Sequence, residues 1–139
     1  MKEIEEFFKT YKNAVWQKDA VTLFKLYHKN TLSFDMWDKG FYINLQEWAP
    51  EIESWINSLG NENVNVEFEM IHIHKSNSVS FASGLIVFQA ISANGTILRS
   101  MKNRITIGFS RFENEWKVVH QHISAPVKSE DLTAILEIS

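Results

Sequence analysis

Two pairs of histidines sit at a spacing that invites chemistry. His72-Ile73-His74 and His120-Gln121-His122 each place two imidazoles on one side of an extended chain, which is how a strand offers two nitrogens to a metal ion. A third ligand is missing, because His74 is followed by Lys-Ser-Asn-Ser rather than a nearby glutamate and the chain has no cysteine. No metal and no other cofactor are expected, and hydrogen bonding within or between subunits is the expected work of these histidines. Asp35 is a different kind of candidate. It falls at the end of an alternating run close to Trp37, and beneath such rings as Trp37 and Trp16 a carboxylate would be partly desolvated, which raises its pKa and makes it a better base. An ordinary strand-end aspartate facing water would read the same way. Tyr11 lies on the apolar stripe of the first helical segment, which suits a hydroxyl donor in a pocket and equally a core tyrosine. Arg104 stands on the polar side of an alternating strand, where it either fixes an anionic or carbonyl group or makes a surface salt bridge.

The elements that must position these groups can be read from period. Between Glu3 and Lys18 the apolar residues Ile4, Phe7, Phe8, Tyr11, Ala14 and Val15 recur every three or four positions, which predicts an amphipathic helix. Asp19 caps a second, shorter helix carrying Val21, Phe24 and Tyr27, with His28, Lys29 and Asn30 at its end. Residues 31–37 alternate as a strand. A third helix is signalled from Asn44 to Leu59, with Gly60 as its stop; Pro50 either begins it or kinks it. From Asn63 onward β-branched and aromatic residues dominate, and turn signals at Ser76-Asn77, Asn94-Gly95 and Glu113-Asn114-Glu115 divide four strands at about 63–75, 78–92, 96–112 and 115–124. This order predicts one α+β domain over residues 1–139, its helices wrapped by a curved antiparallel sheet.

Composition narrows the function classes. Lys+Arg 14 against Asp+Glu 17 gives a formal charge of −3 with no basic run, so nucleic acid is not an expected partner. No apolar stretch approaches the ~20 residues that span a bilayer, so no membrane partner is expected. The opening MKEIEEFFKTYK is acidic and amphipathic, unlike a signal peptide, and the absence of cysteine is compatible with a reducing compartment, so a cytoplasmic protein is expected. Aromatic residues reach 13%, which suits either a lined cavity or a large oligomer interface, or simply an aromatic-rich core.

The run from Glu115 to Pro126, Glu-Trp-Lys-Val-Val-His-Gln-His-Ile-Ser-Ala-Pro, resembles the last strand of SnoaL-like proteins. It is also similar to the association domain of calmodulin-dependent protein kinase II, which ends in a similar Trp-x-x-Val-His-x-His-x-Ser run before a proline. His72-Ile73-His74 and Arg104-Ile105-Thr106 resemble the corresponding places, and the order of elements fits, so the chain is identified as a member of the nuclear transport factor 2-like superfamily. The resemblance implies a cone-shaped fold, a pocket between the concave face of the sheet and three N-terminal helices, and dimerisation through the convex face. Ketosteroid isomerases of that superfamily carry an oxyanion-donating tyrosine and a proton-moving aspartate at positions matched here by Tyr11 and Asp35. Gly108 falls where their second donor would stand, so the full isomerase constellation is not expected. The association domain's pocket arginines fall near Ile86, Thr106 and Ile123, which weakens a hub-like acid-binding pocket. Projecting the isomerase pattern puts Val119, Gln121 and Ile123 in the pocket, beside Trp16, Trp37 and Arg104 as further ligand contacts, and sends His120 and His122 to the convex face.

Strict alternation also groups Trp116 and Val118 with His120 and His122, opposite Val119, Gln121 and Ile123. Ile105, Ile107 and Phe109 with Trp116 and Val118 then form an apolar patch that a second copy of the chain would cover, predicting a homodimer. Two functions remain open. One is a small-molecule pocket protein moving a proton on a mainly apolar ligand, as in isomerisation, cyclisation or dehydration. The other is a non-catalytic binding or assembly module. An inward Asp35 near Tyr11 favours the first.

Overall fold

The first helix, α1, spans Glu6–Gln17 because one side of it has somewhere to go: Phe7, Tyr11, Ala14 and Val15 are buried while Glu6, Lys9 and Thr10 stay at the surface. The computed structural model describes residues 1–139. Lys18 ends α1 in the left-handed conformation (φ 57°), and the Asp19 N–H closes the end on the Ala14 carbonyl at 2.8 Å. Asp19 then caps α2, accepting from the Thr22 N–H at 3.1 Å.

The helix α2 is only Ala20–Phe24, and here the structure departs from helical period. Tyr27, expected on a helix face, opens the strand β1 (Tyr27–Phe34) instead of closing a helix at Asn30. Long-range pairing overrides the local pattern. The last strand, β6 (Glu115–Ser124), runs parallel to β1, with the Val118 N–H on the Leu26 carbonyl at 2.8 Å and Tyr27 opposite Val118. Past Phe34 the chain turns through Gly40 (φ 87°), and the two-residue strand β2 (Phe41–Tyr42) pairs back on β1. Asn44 caps α3 (Leu45–Ser58) by accepting from the Glu47 N–H at 2.8 Å. Pro50 lies inside this helix; the Gln46 carbonyl it leaves without an intrahelical donor is on an exposed residue.

Strands β3 (Asn63–His74), β4 (Val79–Ile91) and β5 (Ile97–Phe112) complete one six-stranded sheet in the order β2-β1-β6-β5-β4-β3. Every join is antiparallel except β1–β6, so the sheet is mixed where a wholly antiparallel one was expected. Two bulges bend it. Met70 and Ile71 oppose Gly84, where a Cβ would lie 2.6 Å from Ile71 Cδ1 and 2.8 Å from the Glu69 carbonyl, so only glycine fits. In β6, Val119 is the extra residue between Val118, opposite Phe109, and His120, opposite Gly108.

That second bulge corrects the expected faces. Ile105, Ile107, Phe109, Trp116 and Val118 form no outward dimer patch; all are at most 3% exposed and pack on the inner face with the helices. Val119 shifts the alternation by one, so Trp116 and Val118 point inward on one side of it and Gln121 and Ile123 on the other. Val119 itself leaves the pocket side: a Cβ on outward-facing Gly108 would meet both His120 Cβ (3.5 Å) and Val119 Cγ2 (4.0 Å). Phe7 is the hub of the core, with the Tyr11, Tyr27, Phe68 and Phe109 rings 5.5–6.4 Å from it, those of Tyr27 and Phe109 edge-to-face.

The helices cannot cover the whole sheet. At about 1.5 Å per residue α1 is roughly 18 Å long, whereas the 16 residues of β5 extend roughly 53 Å at about 3.3 Å each. Where α1 runs out, α3 stands off from the start of β5 and leaves a hollow. The chain beyond β6 returns along this end of β5, the Lys102 N–H bonding the Leu136 carbonyl at 3.0 Å and the Ile138 N–H the Lys102 carbonyl at 3.1 Å. No helix is long and apolar enough to cross a membrane.

Candidate functional site

The hollow is a cavity of about 450 Å³, within the range of small-molecule sites. Two helices, a turn and the sheet build its wall. Tyr11 comes from α1, Asp35, Trp37 and Asp38 from the turn after β1, Tyr42 from β2, and Glu51, Ile52, Trp55, Ser58 and Leu59 from α3 and its end. The sheet contributes Phe88, Arg99, Met101, Asn103 and Ile123. A smaller lobe adjoins it, sharing Trp37, Trp55, Phe88 and Met101 and closed by Leu136 of the returning tail.

Asp35 is half-buried in this wall. Burial raises its carboxyl above the ordinary aspartate range, and the nearby charges of Asp38 and Glu51 push the same way, against the pull of the Met36 and Trp37 N–H groups. The Met36 N–H bonds Oδ1 at 2.7 Å, which fixes the carboxylate, and the turn is tied by the Asp35 N–H to the Gly40 carbonyl at 2.9 Å. Tyr11 is 5% exposed, its ring packed against Phe7 and Phe68. Burial, with the Asp35 charge added, raises its pKa strongly, so it stays a protonated donor through any ordinary pH. Asp35 and Tyr11 thus reach one cavity from two elements, near enough for the charge of one to act on the other. A base facing a hydroxyl donor can take a proton beside a carbonyl while the donor holds the oxygen that becomes negative.

A family model described as a SnoaL-like domain matches residues 4–128. The chain belongs to the SnoaL-like domain family. Solved structures agree on the fold. An NTF2-like protein of unknown function from Pseudomonas putida KT2440 superposes with a TM-score of 0.84 at 18% identity, over 98% of this chain and 93% of that one. A putative calcium/calmodulin-dependent protein kinase II association domain from Xanthomonas campestris gives 0.74 at 13%, over 88% and 85%. An uncharacterised protein with a cystatin-like fold from Caulobacter vibrioides gives 0.70 at 12%, over 88% of each chain. At these identities the likenesses establish the α+β, NTF2-like fold and nothing about ligands. A search of curated proteins finds no match.

In this SnoaL-like domain the residues singled out from sequence part into three groups. Tyr11, Asp35, Trp37 and Ile123 are brought together in the cavity wall. Gln121 lies behind it, 3% exposed, its Oε1 accepting from the Tyr27 hydroxyl at 2.5 Å. Trp16 and Arg104 lie elsewhere. Trp16 is on the outer side of α1, 38% exposed, with its carbonyl taken by Asn63 Nδ2 at 2.8 Å. Arg104 is on the outer face of the sheet, its Nε bonded to Ser124 Oγ at 3.1 Å, because the inward positions of β5 are Met101, Asn103, Ile105, Ile107 and Phe109. Gly108 is outward too, so it does not occupy the place of a second pocket donor.

Tyr42, Glu51, Trp55, Phe88 and Asn103 were missed. For Asn103 a signal existed: it is the one amide on an otherwise apolar stripe of β5, and it is 0% exposed. Its Nδ2 donates to the Leu136 carbonyl at 3.2 Å, while Oδ1 has no partner. The histidine pairs stand outside the cavity: His74 stacks on Phe81 at 4.6 Å, and Phe34 meets His120 and His122 edge-on at 5.0 and 5.3 Å.

Proposed function

We propose that this SnoaL-like domain binds a small, mainly apolar molecule in the cavity and moves a proton on it, with Asp35 as the base and Tyr11 as the hydrogen-bond donor. The observation that carries this is that a half-buried carboxylate of raised pKa and the hydroxyl-bearing side chain of a buried tyrosine share one wall. In the step, a C–H bond next to a carbonyl breaks, its proton passes to the Asp35 carboxylate, and the electron pair moves onto the carbonyl oxygen, which Tyr11 holds. In a β,γ-unsaturated ketone, return of the proton from Asp35 to the γ-carbon gives isomerisation, and in a β-hydroxy ketone its passage to the departing hydroxyl, which leaves as water, gives dehydration. Trp37, Trp55, Phe88 and Ile123 supply the apolar contact.

The test needs no knowledge of the natural substrate. In D₂O, deuterium uptake next to the carbonyl in a panel of hydrophobic ketones is followed by NMR. The native protein should accelerate uptake, Asp35→Asn should abolish it while ligands still bind, and Tyr11→Phe should slow it. A panel that binds with no acceleration would leave the non-catalytic module in its place.

The outer face supports a homodimer, though through residues other than those first expected. Phe81 and Phe34 are 47% and 37% exposed there, flanked by His74, His120 and His122. Sedimentation should show a dimer, and Phe81→Glu should dissociate it. The cysteine-free sequence fits a cytoplasmic setting.

A further inference from the structure

The charge of the cavity wall is one-sided. Asp35, Asp38 and Glu51 all line it, none of them is in an ion pair, and all three act on the same Tyr42 hydroxyl. The cations nearby are already engaged. Arg99, also in the wall, has its guanidinium on Glu62 at 2.6 Å, and Lys39 is paired with Glu47. The protein therefore brings three carboxylates to the cavity and neutralises none of them.

A second observation points independently at what is missing. Asn103 is fully buried in the same wall, and its amide cannot turn over, because Nδ2 must face the Leu136 carbonyl. This leaves Oδ1, an acceptor, with no partner. A buried acceptor left unbonded costs about 1–3 kcal/mol, a cost removed when something with an N–H or O–H enters. Acidic side chains repel one another and an orphan acceptor lacks a donor; a single kind of guest relieves both. Aromatic faces are available for it as well. Trp37 and Trp55 line the same wall, and the Tyr42 ring already meets a cation, the Lys39 ammonium lying 5.5 Å from its centre.

We infer that the ligand carries a protonated amine on its mainly apolar body, the ammonium held by Asp38 and Glu51 among these rings, with an N–H or O–H donor elsewhere on the molecule meeting Asn103. The inference rests on the pocket reading above but not on catalysis. It also gives the carboxylates separate roles, since Asp38 and Glu51, exposed at the rim, hold charge while half-buried Asp35 remains free to take a proton.

Three molecules of one skeleton, phenylbutylamine, phenylbutanol and phenylbutanoic acid, test this by calorimetric titration of the native protein near neutral pH, alongside the neutral apolar dye Nile red. The amine should bind at least about tenfold more tightly than the alcohol, with the acid weakest. The double variant Asp38→Asn/Glu51→Gln should close the gap between amine and alcohol. Glu53→Gln, on the exposed side of α3 and outside the wall, should leave the gap open. Equal binding of amine and alcohol, or a gap that Glu53→Gln closes as readily, overturns the inference and leaves the pocket reading intact. If Nile red and all three probes fail to bind, the pocket reading falls and the inference with it.

Discussion

The two ends of β5 face the same side of the same sheet and meet opposite fates. At one end Ile105, Ile107 and Phe109 are sealed against Phe7 and its ring of aromatics, with essentially no exposed surface. At the other, Arg99, Met101 and Asn103 front an open cavity. The strand does not change character abruptly; what stands across from it does. An α-helix packed closely opposite makes a core, and a helix held off by the turn at Asp35–Gly40 makes a site. Among the packed residues Gln121 is answered by Tyr27, although Thr31 Oγ1 and Trp48 Nε1 are buried without a partner. At the hollow end Asn103 Oδ1 is left unanswered.

The largest effects should separate the ends by stability. Phe109→Ala removes a ring from the dry end and should cost about 3–5 kcal/mol in denaturant unfolding, whereas Met101→Ala, already facing a void, should cost about 1 kcal/mol or less. Equal losses would mean that the hollow is filled by packing in solution. Next is Asp35→Asn, which should lower deuterium uptake by about 10²-fold or more. The same substitution should stabilise the fold. Because folding raises the Asp35 pKa, its contribution is fully favourable below the unfolded value and is lost as the pH rises through the folded one. Asn escapes that loss, so the melting temperature of Asp35→Asn should exceed the native one at neutral pH and converge with it as the pH falls toward 3.8. A variant that is less stable at neutral pH would place Asp35 among the structural groups.

A smaller loss is expected from Tyr27→Phe, which strips the donor from buried Gln121 and should cost about 1–3 kcal/mol without touching the cavity wall. Nile red affinity should be unchanged. The smallest change in folding stability belongs to the outer face: Phe81→Glu should shift it by no more than about 0.5 kcal/mol yet separate the subunits in sedimentation. A native protein that is already monomeric would remove the dimer from the account.

Much of the architecture was legible because most elements bury one side, and a one-sided element prints its period in the chain. Phe7, Tyr11, Ala14 and Val15 announce α1, and Ile105, Ile107 and Phe109 announce β5. Two places resisted for a common reason: their conformation is decided far away. Tyr27 has helical spacing from Phe24 but is claimed by β6, and Val119 breaks an alternation that nothing nearby in sequence interrupts. The candidate site was legible at Tyr11, which lies on a strongly patterned helix, and at Asp35, which directly follows the alternating run of β1. Glu51 and Trp55 were hidden because α3 turns its wider face to a cavity, where polar and apolar residues are mixed.

The parallel join of β1 to β6 also governs when the molecule can acquire its cavity. Tyr27–Phe34 leaves the ribosome early, but apart from two residues of β2 its only sheet neighbour is made some ninety residues later, Leu32 lying opposite His120. At about 5–20 residues per second, β1 and the Asp35 turn behind it wait several seconds without their principal partner. During that interval β3, β4 and β5 can zip together as hairpins, since each needs only its neighbour in sequence. The acidic wall, which depends on the turn behind β1, can therefore be completed only once β6 is made, whereas α1, made first, is on hand to cover β3, where Phe8 and Tyr11 meet Phe68.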